Sequence, residues 1–472
     1  MKLFSLRLTT LKSKLYAIVF ASFLVRVFGL LVLPNTSTVL APDEGTYAYF
    51  AEDVAAGTPV NQSMYGSEEL YLISRAFLIP AGLLIRLGIS GFDSVRIISS
   101  LYGFLTLTLL LFLLMKLADS QIEIANWNQK NSKIVISLFI VFAFLPSHLI
   151  WSMVGMRESV TEFWVIVVFV LFYHIYQVKA RIPKFALLGV LLTIPLIFSS
   201  RPQVGWLVGV TLLIYALIRV RTALIVVPFI LIGIVLGYAV SNGFSFVKLE
   251  TLVPHEKLLK SNSQSGVGPA VNSDKGIWSC KFEGQEIYIS AVEYVCIKEI
   301  RRTIAGLKNP GVALIDQADG IPERSQANRV DASSAIKIIT CPRSGSSRFD
   351  DYFCIAYRAP YTTYTFLVRP ILGSDVTSSS SLYAALENIL WLVAFLIVIV
   401  MFVRNRRLAF FGALFPSLLF FTLYSVGAGA YEGNMGTAFR HKSLILWVVI
   451  LLLASTIVAT QQRKAEREGI SG

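Results

Sequence analysis

The sequence predicts an all-α polytopic membrane protein: a bundle of about ten transmembrane helices, helices lying on the outer surface, and a small extracytoplasmic α+β loop domain. Three observations predict it. Hydrophobic residues make up 55% of the 472-residue chain and charged residues only 15%, a balance that soluble domains of this size do not show. Apolar runs near the twenty-residue length that crosses a bilayer recur along the chain. The net charge of +13 gathers in the short connections between those runs, as expected of cytoplasmic loops, and not in a patch suited to nucleic acid.

The first run, 15–33, follows Lys2, Arg7, Lys12 and Lys14. It is long and lacks a small-x-small cleavage site, so it reads as a retained span and not as a signal peptide. Further spans are expected at 96–116, 133–151, 159–177, 184–200, 203–219, 222–240, 384–403, 408–430 and 443–460. The segment 69–89 is also apolar but carries Arg75, Pro80 and Arg86. If it crossed, every later loop would change sides. Lying on the outer surface, it leaves Lys116, Lys130, Lys133, Lys179, Arg181, Lys184, Arg219, Arg221, Arg404, Arg406 and Arg407 inside, together with both termini. The positive-inside rule selects this arrangement. Charge at mid-bilayer costs roughly 2.5–3.5 kcal/mol on insertion scales and little at the border. The expected location is the plasma (inner) membrane, with both termini cytoplasmic.

Four polar stretches then share the outer side. The first is Pro42-Asp43-Glu44, where Pro42 suits the first position of a helix and both acids fall in its first turn, favoured by the macrodipole. The second is Arg157-Glu158, with Glu162 a turn deeper; this reads either as a structural ion-paired group or as a second acidic site residue beside an arginine that binds phosphate. Arg201-Pro202-Gln203 forms a tight turn whose arginine is an anchor or an anion contact. The last, from Glu432 to Lys442, holds Asn434, Arg440, His441 and Lys442. It breaks the charge trend, and a guanidinium there can fork onto phosphate, lipid headgroups being the plainer partner. Glu387 and Asn388 begin a span from the outer side and either cap it or face a cavity. Arg96 reads as an interface anchor, and His148 as an interior polar group in preference to a metal ligand.

The chain organises as a membrane module over 1–240 with a first outer loop at 34–95, an outer loop domain over 241–383, and C-terminal helices over 384–472. The loop domain holds all four cysteines, Cys280, Cys296, Cys341 and Cys354. An even count confined to an outer segment reads as two disulfides, with three pairings open. Glu286-Ile287-Tyr288-Ile289 alternates as a strand does.

Three passages carry a family resemblance: Pro42-Asp43-Glu44-Gly45-Thr46-Tyr47-Ala48 after the first span, Gly91 to Gly103 with Arg96, and Pro146 to Glu158 before the fourth span. In order and spacing, across about the first 200 residues, the chain resembles the membrane glycosyltransferases of the GT-C fold, which include protein mannosyltransferases and bacterial aminoarabinose transferases. The resemblance implies a GT-C-like bundle and an acidic base at Asp43, with Glu44 adjacent and Glu158 as a second acid where the family usually has Asp. An outer site has no access to cytoplasmic nucleotide sugars, so the expected donor is a sugar on a polyprenyl phosphate or diphosphate. The acceptor would be a glycan, lipid or protein of the cell envelope, as in surface-polysaccharide biosynthesis. Arg157, Arg201, Arg440, His441 and Lys442 are the expected phosphate-binding residues, and a divalent metal (Mg or Mn) between Asp43 and Glu158 stays open. The competing readings are a polymerase of lipid-linked repeat units and a lipid-linked oligosaccharide flippase.

Overall fold

A computed structural model describes residues 11–32, 42–58, 68–121, 129–177, 183–242, 277–282, 285–290, 348–373, 375–376, 379–404, 415–431 and 435–467. The described residues form helices almost throughout. They are α1 (Leu11–Val32), α2 (Pro42–Ala56), α3 (Glu68–Leu72), α4 (Arg75–Arg86), α5 (Gly91–Gln121), α6 (Gln129–Phe144), α7 (Pro146–Met153), α8 (Glu158–Gln177), α9 (Lys184–Phe198), α10 (Pro202–Ile218) and α11 (Val220–Ser241). After them come the hairpin β1 (Ile277–Phe282) and β2 (Gln285–Ser290), then α12 (Arg348–Val368), α13 (Ser379–Arg404), α14 (Phe415–Tyr431) and α15 (Met435–Arg467).

The described residues of the expected spans lie mostly on helices, those of 133–151 on two. Among the described residues four stretches are long and apolar enough to cross a membrane unaided: Ser13–Val32, Gly91–Leu114, Glu158–Tyr176 and Ala223–Ser241. A fifth is the bent pair Ile136–Phe144 and Pro146–Met153, with a 41° bend. Pro146 causes the break, because it has no N–H to give and its ring clashes with the preceding turn. Leu145 before it is extended, at ψ 134°. The apolar parts of α9, α10, α13 and α14 are shorter. The segment 69–89 divides at Ser74 into α3 and α4. At 12 residues, α4 is about 18 Å long, well short of the hydrocarbon core.

The chain divides into two compact units. The larger takes Met1–Lys248, Val368–Ser425 and Phe439–Gly472, and the smaller takes Leu249–Leu367 and Val426–Ala438. In the smaller unit β1 and β2 pair antiparallel from Ile277 opposite Ser290 to Phe282 opposite Gln285, so the alternating run at 286–289 is a strand. Cys296 and Cys341 lie outside the described residues, and only the backbone is described for Cys280 and Cys354, so the expected disulfides fall outside what is described.

In the larger unit α2 packs against α4 and α5, and α5 packs against α8. Their shared core holds Tyr47, Phe50, Phe77, Leu78, Val95, Met156 and Val160, with Tyr47 edge-on to Phe77 at 5.5 Å between centroids. This core joins the start of α2 to the start of α8, the two places where the acids stand.

Candidate active site at the starts of α2 and α8

Asp43 and Glu44 are neighbours on a helix, so their side chains leave it about 100° apart. That rotation separates their roles. Glu44 is fully buried, and its Oε1 accepts from Arg96 Nε at 2.7 Å and from Gly155 N at 3.1 Å. Arg96 is therefore no outward anchor: it is 1% exposed, drawn in because a buried guanidinium needs a buried counter-charge. Gly155 is required here, since a Cβ would lie 2.3 Å from Val95 Cγ2. Ser99 Oγ holds the same connector through Met156 O at 3.0 Å and Ser159 Oγ at 2.9 Å. Glu44 thus clamps the segment leading into α8. Glu44→Gln is expected to cost about 1.5–3 kcal/mol of stability, the worth of a hydrogen bond to a charged group. Thermal unfolding in detergent measures it, and Arg96→Met in the same background is expected to recover part of the loss.

Glu158 opens α8 and is 2% exposed. Its Oε1 accepts from Arg201 Nη2 at 2.5 Å and lies 3.0 Å from Arg440 Nε and 3.9 Å from His441 Nε2. Arg440 Nη1 donates to Asp43 Oδ2 at 2.7 Å, so one guanidinium spans both carboxylates. The Asp43 side chain is 47% exposed. Arg157 donates through Nη1 to Ile73 O at 3.1 Å and to Ser74 Oγ at 2.9 Å, with its guanidinium 5.9 Å from the Tyr47 ring centre. Arg201 stands as the N-cap of α10, with Pro202 fixing the helix start.

The cluster sets three guanidinium groups, from Arg157, Arg201 and Arg440, against the two carboxylates of Asp43 and Glu158. The Nε atoms of Arg157 and Arg201 and the Oε2 of Glu158 are buried with no hydrogen-bond partner among the described residues. Burial pulls the Arg157 guanidinium below its usual value, and the like charges of Arg201 and Arg440 add to that. Burial acts on Arg201 in the same direction, but Glu158 and the other groups beside it leave it above its usual value. Burial pushes the Tyr47 hydroxyl up. Three guanidinium groups against two carboxylates leave one net positive charge with donors already in place, an arrangement that can attract an anion.

A divalent metal does not fit between Asp43 and Glu158, because the Arg440 guanidinium engages both carboxylates. The expected Arg157–Glu158–Glu162 group does not form either. Glu162, one turn deeper, faces His148 Nδ1 at 3.4 Å, and the His148 ring stacks on Phe142 at 4.4 Å. Lys442 turns away from the cluster, about 200° round the helix from Arg440. It is 2% exposed and donates to Asn388 Oδ1 at 2.8 Å and to Arg369 O. Glu387 accepts from Ser147 N at 2.8 Å, at the start of α7, and from Trp391 Nε1 at 3.1 Å. Asn434 lies outside the described residues. The sequence reading overlooked Arg26, 1% exposed inside α1, which donates to Ser152 Oγ at 3.0 Å and to Ser22. A charge within an otherwise apolar span was the available signal.

Fold and site together define a helical membrane protein with a buried cluster of arginines and carboxylates. No protein-family model and no curated protein matches the chain. Two solved structures are similar to it. One is ArnT from Cupriavidus metallidurans in the apo state, at TM-score 0.35 and 14% identity over 94% of this chain and 78% of that one. The other is ArnT from Cupriavidus metallidurans bound to undecaprenyl phosphate, at TM-score 0.34 and 14% identity over 94% and 77%. Scores and identities this low assign neither a family nor an activity.

Proposed function

We propose that the protein is an inverting glycosyltransferase that moves a sugar from a polyprenyl-phosphate-linked donor to a glycan, lipid or protein acceptor at the outer face of the membrane. The observation that carries this reading is Arg440, brought from the last helix onto both Asp43 and Glu158 beside Arg201. The ordered passages shared with GT-C glycosyltransferases support it from the sequence.

In the proposed reaction the donor phosphate takes up Arg440 and Arg201 and frees the Asp43 carboxylate. The acceptor oxygen forms its bond to the anomeric carbon from the face opposite the phosphate. Its proton passes to Asp43, and the bond from the anomeric carbon to the phosphate oxygen breaks with its electron pair leaving on phosphate. Arg157, Arg201 and Arg440 meet the charge that grows there. His441 borders this group, and Glu44 positions the connector without touching the reacting atoms. We place the site on the extracytoplasmic side of the plasma membrane, with ten spans, cytoplasmic termini and a disulfide-bonded outer domain.

The test is transfer of labelled sugar from a polyprenyl-phosphate donor by the protein reconstituted in liposomes, with mass spectrometry of lipid-linked sugars in membranes with and without the protein. Undecorated acceptor and unspent donor are expected where the protein is missing. Complete lipid-linked units accumulating inside would instead mark a transporter and overturn the reading.

A further inference from the structure

Arg157 stands next to Glu158 in the chain, yet among the described residues it pairs with no carboxylate. Arg201 meets Glu158, and Arg440 meets both Glu158 and Asp43. What Arg157 meets is neutral: Ile73 O at 3.1 Å, Ser74 Oγ at 2.9 Å and the Tyr47 ring centre at 5.9 Å. Its backbone is pinned as well, because Arg157 O accepts from Thr161 N at 3.1 Å and from Thr161 Oγ1 at 3.2 Å, one turn into α8. Both bonds to the break between α3 and α4 come from Nη1. Nε is buried with no hydrogen-bond partner among the described residues. Nε with Nη2 is the edge of a guanidinium that matches two oxygens of a phosphate or carboxylate.

Ser74 is placed to do this holding. It is fully buried and stands as the N-cap of α4. Serine is favoured there because its hydroxyl ordinarily accepts from a backbone N–H of the first turn. Ser74 makes no such capping bond, and its oxygen accepts from Arg157 instead. The backbone carries the break without it: Ser74 O accepts from Phe77 N and Leu78 N, both at 2.9 Å, and Ser74 N donates to Tyr71 O at 3.1 Å. The next two residues fix the joint. Arg75 donates to Val240 O near the end of α11, and Ala76 N donates at 3.3 Å to Ser199 O, in the connection that leads to Arg201. The joint that holds Arg157 is thus tied to the segment that carries Arg201.

We propose that Ser74 is a positioning residue for the phosphate site: it keeps Arg157 as the guanidinium that no carboxylate neutralises, and Arg157 so held sets how tightly the donor phosphate binds. Arg201 and Arg440 must part from a carboxylate to meet an anion. Arg157 keeps its two neutral acceptors on Nη1 and offers the opposite edge. This rests on the proposed sugar transfer for the identity of the anion.

The experiment measures binding of farnesyl phosphate to the full chain in phosphatidylcholine nanodiscs, and transfer kinetics with the polyprenyl-phosphate donor, for the wild type, Ser74→Ala and Arg157→Gln. Ser74→Ala is expected to raise Kd and the donor KM about tenfold, the order of one hydrogen bond to a charged group, with kcat and unfolding temperature close to the wild type. Arg157→Gln is expected to raise Kd further, and it tests the same claim without touching the start of α4. Unchanged Kd and KM in Ser74→Ala, whatever happens to kcat, would make the residue merely structural and overturn the assignment. Wild-type Kd in Arg157→Gln would overturn it too. Either result beside normal transfer by the wild type leaves the sugar chemistry standing. Ser74-dependent binding of farnesyl phosphate with no sugar transfer would do the reverse.

Discussion

Asp43→Asn is expected to slow sugar transfer about 10²–10⁴-fold, the contribution of a positioned general base. That is roughly 2.7–5.4 kcal/mol of barrier at 1.36 kcal/mol per tenfold. The fold should barely notice. The Asp43 side chain is 47% exposed, and ion pairs that open to water contribute about 0–1 kcal/mol. Arg440 keeps Glu158 as a partner when Asp43 is neutral. The prediction is a separation: unfolding temperature in detergent unchanged within a degree or so, turnover reduced by orders of magnitude. Wild-type turnover in this variant would remove Asp43 as the base.

Glu158→Ala is expected to fail in the opposite way, losing stability along with activity. The carboxylate is 2% exposed and faces Arg201 and Arg440, and removing one partner of a buried pair costs about 3–5 kcal/mol. The cost arises because two guanidinium groups stay buried while their counter-charge leaves. Glu158→Gln keeps the shape and an acceptor oxygen, so its loss should be smaller. The second-site change Arg201→Met in Glu158→Ala should recover part of the stability and none of the activity. Thermal unfolding of the three variants beside the wild type decides it. Equal unfolding temperatures would mean that the pairs are wet and hold little.

The two expected results differ because residues of one chemistry are placed differently, and that difference was not legible in the chain. The first turn of α2 was legible, from Pro42 and its two acids, as was the grouping of Asp43, Glu158, Arg201 and Arg440, which loop parity led one to expect and which the ion pairs bear out. Which acid faces inward was not. Asp43 and Glu44 differ by one step of the helix, and only the packing of α5 and the Gly155 connector shows that Glu44 is the buried one. Arg96 was misread for the same reason, as its partner lies 52 residues away. Lys442 was grouped with Arg440 because they are close in sequence, whereas the helix sends them to opposite sides, one to the acids and one to the turn at Arg369.

By itself the sequence determined that this is a helical membrane protein and where most of its long apolar helices run, because span length and hydrophobicity are local properties set by the thickness and dryness of the bilayer. Only the tertiary structure decided which charges meet: Glu44 with Arg96, Glu158 with Arg201 and Arg440, Glu162 with His148. A buried charge is stable only beside a partner, and the partner can come from any helix that packs there. Sequence spacing holds no record of that choice.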